Sequence, residues 1–212
     1  MNHIINQISK ALSVILYPLF VPTYGIALFC YAYSTQVSPL ANIWILIAII
    51  GTLLLTGILP ISAIWILIRH GMVSSLQIEN SSERTMPYIY TICGFCFWCY
   101  LIIAVLKAPL YIALASIGAT IAITLVAIIN HWWKISAHLT GFGGLLGGLM
   151  SYCLGIGAIP TTWLLFVWFG LSLILMCARL RLNAHTPAQV ATGWLLGIIC
   201  TFMPYCIYSY AA

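Results

Sequence analysis

With 212 residues, 64% of them hydrophobic and only 4% charged, at a mean hydropathy of +1.13, this chain has too few polar groups to cover a soluble domain of its size. The formal charge of +5 is small and gives no basis for a nucleic-acid partner. Runs of about 20 apolar residues recur along the whole length, as needed to cross a hydrocarbon core as helix, and they are too long and too evenly apolar for barrel strands. The expected class is a single all-α polytopic transmembrane bundle over residues 1–212.

Taken in chain order, the start "MNHIINQISKALSVIL" lacks the strongly basic opening and small-residue cleavage site of a secretory signal. It reads instead as a short amphipathic lead, with Ile4, Ile5, Ile8 and Leu12 on one side, running into the first span. Seven spans follow from hydropathy, at about 11–33, 43–68, 87–106, 109–130, 139–157, 162–178 and 188–209. The second is long and carries Pro60, which predicts a kink or tilt. "LKAP" around Lys107 and "GIGAIPTT" at 155–162 are tight turns. The one sizeable polar loop is "RHGMVSSLQIENSSERTM", 69–86.

On this topology the polar residues fall on one membrane face. Arg84 precedes the third span, Lys134 and His138 follow the fourth, and Arg179, Arg181 and His185 follow the sixth. The opposite face has Lys107 and uncharged turns. The positive-inside rule accounts for Lys10, Arg69 and Arg181 without further help. It does not account for two histidines beside cations at helix starts, since topology has no use for histidine. Ser136 reads as an N-cap for the fifth span with His138 in its first turn, where an anion would also meet free amides and the helix dipole. Pro187 fits the first turn of the seventh span, leaving His185 just before it.

Two histidines with guanidinium groups suit phosphoryl transfer. A neutral imidazole can attack phosphorus and form a phosphohistidine. A protonated one can donate to the leaving oxygen, while arginines clamp the equatorial oxygens. No metal or other cofactor is required. Eight cysteines, including "CGFCFWC" (Cys93, Cys96, Cys99), read as small hydrophobes within spans rather than metal ligands.

The motifs resemble those of the type 2 phosphatidic acid phosphatases, the superfamily that includes the vanadium haloperoxidases. "ARLRLNAHTPAQVATG" keeps Arg179, His185, Val190 and Gly193 of that family's S-R-x5-H-x3-D-V-x2-G motif. "ISAH" keeps Ser136 and His138 of P-S-G-H. K-x6-R-P is echoed by "QIENSSERTMP", with Arg84 in place, Gln77 at the lysine position and Pro87 displaced. The resemblance covers about residues 69–205. It implies a membrane lipid phosphatase, in a bacterial inner membrane, acting on a lipid phosphate or diphosphate held among membrane lipids. His185 would be the nucleophile and His138 the leaving-group acid. Arg84 and Arg179 would bind phosphate, with Ser136 and the Ala137 amide adding hydrogen bonds.

The sequence also departs from the family. The aspartate that orients the nucleophile is Gln189, and the chain has no aspartate at all. A glutamine carbonyl can orient the ring but cannot stabilise an imidazolium as a carboxylate does. Glu79 and Glu83 are the available carboxylates, and Lys134 is the candidate replacement for the missing lysine. The alternative is therefore a weak or inactive relative that binds or moves phospholipid. "GFGGLLGG" (Gly141–Gly148) repeats glycine at the spacing of close helix packing, which is preferred over a phosphate cradle. Charge bias and the family's habit point to opposite membrane sides, so orientation stays open, as does oligomeric state.

Overall fold

A computed structural model describes residues 2–74, 83–157 and 162–211. Every regular element among them is helical: α1 (Asn2–Ile15), α2 (Val21–Gln36), α3 (Asn42–Thr52), α4 (Leu59–Arg69), α5 (Thr85–Tyr100), α6 (Leu110–Ile129), α7 (Ala137–Ile156), α8 (Thr162–Arg181) and α9 (Pro187–Ala211). Seven helical stretches are long and apolar enough to cross a membrane. The chain is an all-α, multi-pass integral membrane bundle. Large apolar side chains such as Leu54, Phe97, Phe166 and Ile199 point outward, as a lipid solvent permits.

The predicted kink at Pro60 is a change of helix type. A π-helical stretch, Leu53–Ile58, joins α3 to α4 just before the proline. Pro60 has no N–H for the Thr56 carbonyl, and a widened turn absorbs that gap in the ladder. The first predicted span also divides. A 3-10 turn at Pro18–Phe20 separates α1 from α2, so the amphipathic lead is a helix of its own. Asn6 of α1 meets the last residue of α8, with Arg181 Nε donating to Asn6 Oδ1 at 3.2 Å. Ser13 meets the first turn of α7, its carbonyl 3.1 Å from His138 Nε2. Both contacts lie at one end of the bundle, so α1 runs across that end. Its Ile4, Ile5, Ile8 and Ile15 are exposed while Ser9 and Ser13 are buried, the pattern of a helix in the lipid interface.

The core is organised around α7, whose apolar window is 67% buried where no other span exceeds 33%. Its Phe142 stacks on Trp168 of α8 with ring centroids 5.0 Å apart. Against α9 the contact is backbone to backbone. A Cβ on Gly143 would strike the Trp194 carbonyl, and one on Gly197 the Thr140 carbonyl. A Cβ on Gly193 would come within 2.7 Å of the Ser136 carbonyl. Thr201 Oγ1 of α9 donates to the Gly144 carbonyl at 2.7 Å. The glycine run is thus a packing surface.

Gly143→Val should force the two helices apart at a cost of about 1–3 kcal/mol, read as a lowered thermal-unfolding midpoint in detergent. Gly170→Ala is the control: nothing lies within 4 Å of its added carbon, so its midpoint should stay near wild type.

Candidate functional site

The chain between α8 and α9 holds His185 by two local devices. Asn183 takes a left-handed conformation, φ 51°, one that asparagine tolerates better than most residues. The Asn183 N–H reaches the Leu180 carbonyl at 3.0 Å and the Ala184 N–H reaches the Arg179 carbonyl at 3.2 Å, the pair of bonds that closes a Schellman motif. Immediately afterwards Thr186 and Gln189 form a capping box. The Thr186 N–H donates to Gln189 Oε1 at 3.0 Å and the Gln189 N–H to Thr186 Oγ1 at 3.4 Å. His185 lies between the stop of one helix and the start of the next, beside Arg179.

His185 Nδ1 is 3.2 Å from the Lys134 carbonyl and 3.3 Å from Gln189 Oε1. Both oxygens can only accept, so Nδ1 carries the proton and the lone pair is on Nε2. Burial, then the nearby Arg179 guanidinium, pushes the ring from its usual 6.5 down to about 4, with the Lys134 ammonium adding to the effect. The imidazole is therefore neutral, with its nucleophilic nitrogen free.

His138 sits in the first turn of α7 with the ring of Tyr17 edge-on at 5.7 Å. Its Nε2 faces the Ser13 carbonyl, so that nitrogen also bears a proton. Arg179 lies within electrostatic reach of both histidines, and the histidines of each other. The Arg179 Nε is buried with no hydrogen-bond partner among the described residues. Arg84 is buried at the start of α5, its Nη1 3.5 Å from Asn130 Oδ1. One cavity of about 760 Å³ is lined by Arg84, Lys134, His138, Arg179 and His185.

Other candidates have different places. Ser136 is fully buried, and its hydroxyl takes the Leu139 N–H at 3.5 Å. It is the N-cap of α7 and does not line the cavity. Ala137 does line it. Glu83 accepts from the Ser74 N–H and hydroxyl at 2.7 and 2.8 Å, off the cavity wall. Gln77 and Glu79 lie outside the described residues. No protein-family model, curated protein or solved structure matches the chain.

What the arrangement can do therefore follows from its own geometry: a neutral nucleophilic imidazole, a second imidazole and two guanidinium groups around one space with no carboxylate on its wall among the described residues. Such a space favours a multiply charged anion. Sequence reading missed the Lys134 carbonyl, Tyr17, Ser13 and Asn130. An asparagine ending a long apolar run was a visible signal for the last. The Ser13 carbonyl had none, because the docking of α1 brings it there.

With ring nitrogens labelled, NMR should show His185 as the Nδ1–H tautomer, neutral until the pH approaches 4. Arg179→Gln should move that titration upward, because a neighbouring cation penalises the imidazolium. An unchanged midpoint would remove Arg179 from the site.

Proposed function

We propose that the chain is a membrane phosphatase acting on lipid phosphates or diphosphates through a phosphohistidine on His185. The observation that carries this reading is the tautomer of His185: Nδ1–H is held by the Lys134 carbonyl and Gln189, leaving Nε2 to attack. The motif resemblance to the type 2 phosphatidic acid phosphatases supports it. A setting in a bacterial inner membrane belongs to the same proposal.

In this reading Arg84 and Arg179 bind the phosphate oxygens, and Lys134 adds charge at the mouth. Nε2 of His185 bonds to phosphorus as the bond to the lipid oxygen breaks, and that oxygen takes the Nδ1 proton of His138, a ring that becomes cationic only when the charge of the bound phosphate offsets Arg179. Water then cleaves the N–P bond, giving a proton back to His138 and releasing phosphate. Gln189 holds the His185 tautomer through the capping box but contributes no negative charge to the transition state.

A second reading, a relative that binds or moves phospholipid without cleaving it, is favoured by one observation. The Nδ1–H of His185 meets two neutral oxygens, the Lys134 carbonyl and Gln189 Oε1, so neither balances the positive charge the ring gains when Nε2 bonds to phosphorus.

Purified protein given phosphatidic acid, phosphatidylglycerol phosphate and a polyprenyl diphosphate should release phosphate from at least one. His185→Ala should abolish the release, and Gln189→Asp should raise the rate about tenfold or more, since a carboxylate stabilises the developing imidazolium. Binding of these lipids without release, in the wild type and in Gln189→Asp alike, would favour the second reading.

A further inference from the structure

Membrane topology accounts for three cations outside the motifs, Lys10, Arg69 and Arg181, and the fold gives them different surroundings. Arg69 lies over the Trp65 ring, 3.9 Å from its centroid, and Arg181 donates to Asn6. Neither lines the cavity. Lys10 does, together with Ser13 and Tyr17 from the same end of the chain. All three precede residue 69, where the motif resemblance begins, so no motif gives them a part in the site.

Helix periodicity explains how α1 reaches the cavity. Asn6, Lys10 and Ser13 follow one another at i+4 and i+3, which stacks them along one side of a helix. Asn6 meets the end of α8, and the Ser13 carbonyl meets His138 at the start of α7. Lys10 lies between those two contacts, about 4.5 Å of helix rise from Ser13. It is exposed, and its flexible four-carbon stem can carry the ammonium to the space beside His138.

Tyr17 reaches the same space by a different device. The residue before a proline is kept out of helical geometry, and Tyr17, ahead of Pro18, is extended at φ −63°, ψ 135°. Its ring stands edge-on to His138 at 5.7 Å. The phenol is within electrostatic reach of Arg179 and of Tyr88, and Tyr88 is within reach of Arg84. Tyr17 thus stands between the two guanidinium groups. Neither the Lys10 ammonium nor the Tyr17 hydroxyl has a hydrogen bond among the described residues. Each is a donor without an acceptor on the wall of a cavity that favours an anion.

We propose that Lys10 and Tyr17 are further phosphate-binding residues that complete the site from α1. The Lys10 ammonium adds a cation to those of Arg84, Lys134 and Arg179, and the Tyr17 hydroxyl donates to a phosphate oxygen beside Arg179. This rests on the phosphatase reading only in taking phosphate as the anion; it requires no cleavage.

Phosphorus NMR of inorganic phosphate with the full chain in detergent reads binding without turnover. Tyr17→Phe, which removes only the hydroxyl, should weaken binding about tenfold, the scale of a hydrogen bond to a charged group. Lys10→Gln should weaken it about fivefold, the scale of an exposed ion pair. Added salt should shrink the Lys10→Gln effect by screening and leave the Tyr17→Phe effect in place. Lys10→Arg should bind as the wild type does. So should Lys107→Gln, which removes the same charge from the opposite end of the bundle. Equal binding by the wild type, Lys10→Gln and Tyr17→Phe overturns the inference and leaves the phosphatase reading to the lipid assay. Loss of binding that comes only with a shift of the His138 ring signals also overturns it, because the two residues would then merely hold α1 in place. Weakened binding with His138 unshifted upholds it, and if no lipid then releases phosphate, the phosphatase reading alone falls. A wild type that binds no phosphate overturns both.

Discussion

The contact between α7 and α9 leaves no room for a side chain at Gly143 or Gly197, and this sets the spacing of nearly everything else. With the backbones in contact, the Ser136 N–H at the start of α7 reaches the Gln189 carbonyl at the start of α9 at 3.3 Å. The two helix starts are then level, and each carries one histidine. In a bilayer there is little hydrophobic gain from bringing helices together, so close van der Waals contact and cross-helix hydrogen bonds such as Thr201 to Gly144 must hold the pair. Small residues at the interface are the means by which both are achieved.

The same end of the bundle concentrates cations around the cavity. The chain has two glutamates, and Glu83 is bonded to Ser74 in the loop. Arg84, Lys134 and Arg179 all line a shared cavity. Burial of such charges is costly unless something anionic balances them. The consequence appears in His185, which is kept neutral by burial and by Arg179. Gln189 has two duties at once, closing the capping box of α9 and fixing the ring it follows. An aspartate at this position could serve both as well, and would add charge that the amide lacks.

The π-helical stretch at Leu53–Ile58 and the crossing of α1 give the site its surroundings. The first widens a helix where Thr52 and Thr56 line the cavity. The second brings the Ser13 carbonyl onto His138 while its isoleucines face out. A membrane surface would hold α1 by those isoleucines, so the position of the helix over the site depends on the lipid around it.

Much of the fold was legible in the sequence because lipid imposes a strong rule. Every backbone group must bond within its span, and so hydropathy alone marked seven spans near where the helices lie. The order of spans placed Arg84, Lys134, His138, Arg179 and His185 on one face, and "GFGGLLGG" announced close packing. Local chemistry was legible too, with Ser136 as a cap. The tertiary structure alone decided which acceptors the histidines meet, since the carbonyls of Ser13 and Lys134 belong to segments distant in sequence and a backbone carbonyl has no signature in the side-chain pattern. It also decided that α1 lies across the site rather than continuing into α2, and that a cavity with α5 and α6 along its wall is left among the helices. Hydropathy measures how well each segment suits lipid; it holds no information on the gaps left between segments once they pack.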